Sequence, residues 1–185
     1  MLRAAFRDLH GARLHGFALL VALGDREPAA GAAADAMAAA SSQLAELRHP
    51  ERAAAWLRRR VVASLAATRG TRSPEAERRA ALRALGVADP AFDGLAALRI
   101  AERAALVAST IERLDPLDVE HVLGLSTADV RRLLERSRRR YLAGTRAAMA
   151  RESATLPADP NAPGDLARRV EAVAARTMGP GWSAR

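Results

Sequence analysis

Residues 116–142 read PLDVEHVLGLSTADVRRLLERSRRRYL, and the fold turns on how that stretch is parsed. Asp115 ahead of Pro116 suits an N-cap followed by a first-turn proline. Leu117, Val119, Val122 and Leu123 fill a short helix that stops at Gly124. Ser126 then caps a longer helix to about Leu142, with Val130, Leu133, Leu134, Ser137 and Tyr141 on its inner side. A short helix, a glycine turn and a capped second helix predict a helix-turn-helix, in which Val119, Val122 and Leu123 pack on Val130 and Leu134. The second helix would present Ser126, Thr127, Ala128, Asp129, Arg131, Arg132, Glu135, Arg136, Arg138 and Arg139 to DNA. Early positions of such a helix face base edges in the major groove, and later arginines meet phosphates. Charge alone slightly favours a solvated helix of a plain bundle; the short helix, the glycine turn and the cap together favour DNA.

The rest of the 185-residue chain agrees with a helical protein of one ordinary domain or two small ones. Alanine supplies 46 residues and aromatics only six, so the core must be built from Leu, Val and Ala. That composition disfavours sandwiches and barrels and suits helices. With no cysteine, disulfides and thiolate metal sites are excluded. The four histidines (His10, His15, His49, His121) lack metal-ligand spacing, and no cofactor motif such as a phosphate-cradling glycine loop is present. No apolar run reaches the roughly 18–20 residues of a membrane span. The opening MLRAAFRDLH carries an acid and a histidine too early for a signal peptide. The expectation is a soluble, cytoplasmic, all-α protein without enzyme chemistry.

All 29 cationic residues are arginine, and the formal net charge is +8. GC-rich codons account for part of this enrichment, but not for where the charge sits. Residues 1–70 and 116–151 each carry a net +4, while 71–115 and 152–185 balance. Two basic blocks around a neutral segment suit a polyanion, and arginine suits phosphate and guanine through its bidentate fork.

Periodicity predicts three N-terminal helices over about 3–23, 28–47 and 50–68, making a unit of residues 1–70. A linker with a short helix covers 71–94, and 87–94 (VADPAFDG) reads as loop. A second unit covers 95–144, opening on a helix with Leu98, Ala101, Ala105, Leu106 and Ser109 on one face. Residues 145–185 read as a flexible tail, with one short amphipathic helix fitting 165–178.

These residues resemble a known family, the bacterial RNA polymerase sigma factors of the extracytoplasmic-function (ECF) type. Arg103 is followed at the family's interval by Asp118-Val119-Glu120, then Leu123-Gly124-Leu125-Ser126, Val130, Leu134 and Arg136-Ser137-Arg138. The family's Ala…Gly-Asp motif is similar to Ala18 to Gly24-Asp25, and its Trp-Leu pair to Trp56-Leu57. The resemblance covers about residues 3–143. It implies a transcription initiation factor of two helical domains, with core RNA polymerase, promoter double-stranded DNA and an anti-sigma factor as partners. It implies that the helix over 127–139 reads the −35 element. Trp56, Arg58, Arg59 and Arg60 are the candidate contacts to the DNA backbone or the −10 element, although Trp56 beside Leu57 reads better as core. The arginine run circles the helix, so at least one guanidinium must snorkel or pair, and it fits a solvated face equally well. Asp25, Asp35 and Met37 are the implied polymerase contacts. The chain departs from the family at 29–37 (AAGAAADAM), where only Ala29 and the acid at 35 match, and residues 18–55 hold no aromatic to stack unpaired bases. Glu120 stands where the family packs a small alanine, and Asp129 stands among the DNA contacts, repelling phosphate but able to accept from cytosine N4.

Two other readings stay open. One is a DNA-binding regulator that keeps the sigma architecture but no longer engages polymerase. The other is an interaction protein whose alanine-rich helices pair with a partner helix.

Overall fold

The computed structural model describes residues 2–43, 52–68 and 72–155, with Ala172, Val173 and Arg176 beyond them. The protein is all-α. The described elements run α1 (Leu2–Val21), α2 (Arg26–Gln43), α3 (Ala53–Ala67), α4 (Glu75–Arg83), α5 (Asp89–Ala96), α6 (Ile100–Leu106), α7 (Pro116–Leu123) and α8 (Thr127–Thr155). The expected C-terminal part of the second helix, 44–47, lies outside the described residues.

α1 turns its large side chains inward: Leu14, Phe17 and Val21 are fully buried. α2 answers with Ala29, Ala32, Ala33, Ala36 and Ala40, spaced by one, three and four so that they fall on one helical face. Small side chains let the two helices approach closely, but a methyl group contributes only about 0.8 kcal/mol when buried. The hairpin therefore draws its stability mainly from Phe17 and the leucines of α1, and from Leu57, Val61 and Leu65 of α3.

The core does not stop at residue 70. Leu14, Phe17 and Leu57 belong to one buried cluster with Leu82, Phe92, Leu106, Val119, Val130 and Tyr141. Polar side chains cross the same seam. The Arg103 guanidinium of α6 donates to the Val21 carbonyl at the end of α1 (2.7 Å) and to the Leu98 carbonyl (2.6 Å). Burial, together with Arg72 and Arg78, lowers its pKa to about 10. α6 ends in a π-helical turn over Val107–Ile111, closed by the Glu112 amide on the Val107 carbonyl (2.9 Å). That wide turn brings Glu112 to α3, where it pairs with Arg58.

Three expectations are corrected. The stretch 87–94 is not loop throughout: α5 starts at Asp89 with Pro90 in its first turn, and buries Phe92 and Leu95. Its eight residues are too few to show a helical period, and packing supplies the stability. The second correction concerns the tail: residues 145–155 are not flexible chain but the last turns of α8. In sequence the apolar pattern fades after Gly144, yet that glycine serves close packing. A Cβ there would stand 3.0 Å from the Ala97 methyl and the Asp93 carbonyl, while one on Gly94 would collide with the Thr145 hydroxyl and the Tyr141 ring. The paired glycines let α5 and α8 cross closely, and Thr145, Ala148 and Met149 are buried. Third, Ala101 is exposed, and the helix buries Glu102 and Arg103 instead, because both have partners: Arg103 the Val21 carbonyl across the seam, and Glu102 the guanidinia of Arg136 and Arg140 on α8. Of the helix expected over 165–178, the described Val173 is half-buried against the core.

Candidate nucleic-acid interface

α7 begins where Asp115 caps it, its carboxylate accepting the Leu117 amide (2.9 Å). The helix ends on Gly124, whose φ of +65° is left-handed backbone that a side chain would strain. The Gly124 amide closes the helix on the Glu120 carbonyl (2.8 Å). Three residues later α8 starts, with the Ser126 hydroxyl accepting from the Asp129 amide (3.3 Å) and the Ser126 carbonyl from the Val130 amide (2.9 Å). The expected apolar packing is present: Val119, Val122 and Val130 are buried in the common core, and Leu123 and Leu134 pack against it. Glu120 bridges the turn by accepting from the Thr127 hydroxyl (2.6 Å). Its length, where the resembled family has an alanine, is used to tie α7 to the first turn of α8.

At 3.6 residues per turn, Ala128, Arg131, Arg132, Glu135, Arg138 and Arg139 lie on the side of α8 opposite Val130, Leu133, Ser137 and Tyr141. All six are exposed. Ser126 and Thr127 are exposed beside them at the turn. Asp129 is held between the Ser126 hydroxyl (2.6 Å) and the Arg132 guanidinium (2.6 Å), and those two hydrogen bonds keep its carboxyl below the usual range. Arg132 is thus braced at one end while its remaining donors face solvent. Arg136 is only partly available to a ligand, because it flanks this face and donates to the Glu102 carboxylate of α6 (3.1 Å).

Sequence reasoning missed Glu102 and Arg140. Arg140 joins Arg136 on the same buried carboxylate (3.0 Å), and the Arg99 amide donates to it as well (2.9 Å). Burial alone pushes the Glu102 carboxyl up; the Arg99 amide and the two guanidinia outweigh it and hold the group below the ordinary range. The readable signal was the four-residue spacing of Arg136 and Arg140 on the edge of α8, which lets one acid take both.

On α3, Arg58 is corrected as a DNA contact. It is 3% exposed, lies over the Phe17 ring, donates to the Ala54 carbonyl (2.9 Å) and pairs with Glu112. A run of three arginines on one helix must turn one inward, and Arg58 is that one. Arg59 and Arg60 are exposed; Arg60 lies over the ring of half-buried Trp56 (5.1 Å). On α2, Asp35 is exposed and Met37 half-buried. Asp25 is corrected as a polymerase contact: it is buried and accepts from the Ser73 hydroxyl (2.8 Å) and amide (3.3 Å), which fastens the start of α2 to the segment before α4.

Compared with protein-family models, curated proteins and solved structures, the chain matches none of them. What fold and site define is an all-α chain with an exposed arginine face immediately after a capped three-residue turn. Among the described residues, no helix is long and apolar enough to cross a membrane.

Proposed function

We propose that the chain is a transcription factor that binds duplex promoter DNA through α8, acting as an initiation factor of the type the ECF resemblance implies. The observation that carries the reading is the exposed face of Ala128, Arg131, Arg132, Glu135, Arg138 and Arg139, set directly after the Gly124–Ser126 turn. Ala128 gives α8 a low profile for close approach to base edges. Arg132, braced by Asp129, has the planar fork that suits guanine. Arg131, Arg138 and Arg139 suit phosphates.

A second reading has its own support. Asp25, one of three positions assigned to polymerase contact, is spent on Ser73. That favours a DNA-binding regulator which keeps the sigma-like arrangement without engaging core polymerase. One experiment separates the two: purified chain is tested for binding to core RNA polymerase and for specific initiation from the promoter upstream of its own gene. Binding with initiation supports the first reading. Duplex binding without polymerase binding supports the second. Absence of duplex binding at low salt overturns both.

A further inference from the structure

The resemblance assigns α3 and α8 to two separate promoter elements, but α3 lies against the α7–α8 turn itself. Arg59 donates to the His121 carbonyl near the end of α7 (3.4 Å). Its guanidinium also stands 3.5 Å from where a Cβ on Gly124 would be. Arg52 lies seven residues earlier, on the same side of the helix and about 10 Å along it at 1.5 Å per residue. Both arginines are exposed, with Trp56 half-buried between them and Arg60 beside them. Both also bear on His121: burial first, then Arg59 and Arg52, hold its imidazole below the ordinary range. The cations of α3 therefore gather at the turn that delivers α8.

We infer that Arg59 and Arg52 contact phosphates of the same duplex that α8 reads, so that α3 and α8 grip one continuous DNA segment. This rests on the proposed duplex binding by α8 and extends it. A helix end is electronegative and holds Arg59 in place through one carbonyl, which leaves most of the five guanidinium donors for phosphate. The seam keeps the geometry rigid, because Arg58 pairs with Glu112 across it and Arg103 donates across it to Val21.

The test uses the full chain and a short fluorescent duplex of mixed sequence, titrated at several salt concentrations. Removing one cation that neutralises a phosphate lowers the slope of log affinity against log salt by about 0.9. Arg59→Gln and Arg52→Gln are each expected to lower it by about that amount, so the loss of affinity between 50 and 200 mM salt becomes about 3.5-fold smaller. Arg131→Gln on α8 serves as the positive control. Arg52→Gln removes no hydrogen bond among the described residues, so it keeps the test sharp if Arg59→Gln impairs folding. Hydroxyl-radical footprinting on the promoter DNA is expected to give one continuous protected patch. Unchanged slopes in both variants, with Arg131→Gln lowered, overturn this inference and leave the α8 reading standing; so do two patches separated by unprotected DNA. No binding by the wild-type chain overturns both.

Discussion

Arg58 and Arg103 lie inside the seam between the first three helices and the rest of the chain, whereas Arg131, Arg132 and Arg139 stand in water on the outer face of α8. One residue type follows two rules. Inside, desolvation makes an unpaired guanidinium prohibitively costly, so Arg58 and Arg103 are tied to carbonyls and, for Arg58, to Glu112. Outside, water already satisfies the charge, and the same group stays available for a phosphate. Inward arginines specify how the helices assemble, and outward ones specify what the assembly touches.

The sharpest way to break this contrast is to remove one arginine of each kind. Arg103→Leu leaves the buried Val21 and Leu98 carbonyls at the seam without their donor. A loss of about 3–5 kcal/mol in unfolding free energy is expected, read from the denaturant midpoint. Arg139→Leu should stay within about 0.5 kcal/mol of wild type. Equal losses would erase the distinction.

The crossing of α5 and α8 tests the interior without any charge. Gly94→Ala puts a methyl group against Thr145 and within 2.7 Å of the Tyr141 ring. Overpacking of this kind costs about 1–3 kcal/mol, and the midpoint should fall accordingly.

Glu102 sits on the border between the two regions, buried itself but joined to half-exposed Arg136 and Arg140. Its lowered pKa means that the folded form binds the proton more weakly than the unfolded chain does. Its contribution is thus present above the ordinary carboxylate range and is lost as pH falls through the folded value. Glu102→Gln should cost about 1–2 kcal/mol at pH 7, discounted for the exposed partners. The gap from wild type should shrink once pH drops below about 4.3. A gap independent of pH would show that packing, not charge, is what Glu102 supplies.

The smallest effect on stability is expected at Asp129, on the outer face. Asp129→Ala releases Arg132 and removes a negative charge from beside the α8 face proposed to meet phosphate. Binding to mixed-sequence duplex should tighten a few fold at low salt while discrimination between sequences falls. Tighter binding with unaltered discrimination would mean that Asp129 only repels phosphate and does not brace Arg132.

Much of the candidate site was legible in the chain because its signals are local. Asp115-Pro116, Gly124 and Ser126 act within a few residues of themselves, and the structure has α7, the left-handed turn and α8 at those positions. The outward set on α8 follows from period alone. Misreadings occurred where a residue's role depends on what comes from far away. The chain beyond Gly144 looks like tail until α5 is laid across it, and Asp25 looks available until Ser73 arrives from 48 residues on. Arg58 cannot be told from Arg59 without Glu112.

By itself, the sequence determined the all-α class, the capped turn and the arginine face after it. Each is set by backbone propensity, periodicity or a cap, all of which act over one or two helical turns. Only the tertiary structure decided that one core runs from α1 to α8, which arginines are withdrawn from solvent, and that α3 meets the α7–α8 turn. Those outcomes depend on desolvation and close packing between residues distant in the chain, and no local pattern encodes which partner will be there.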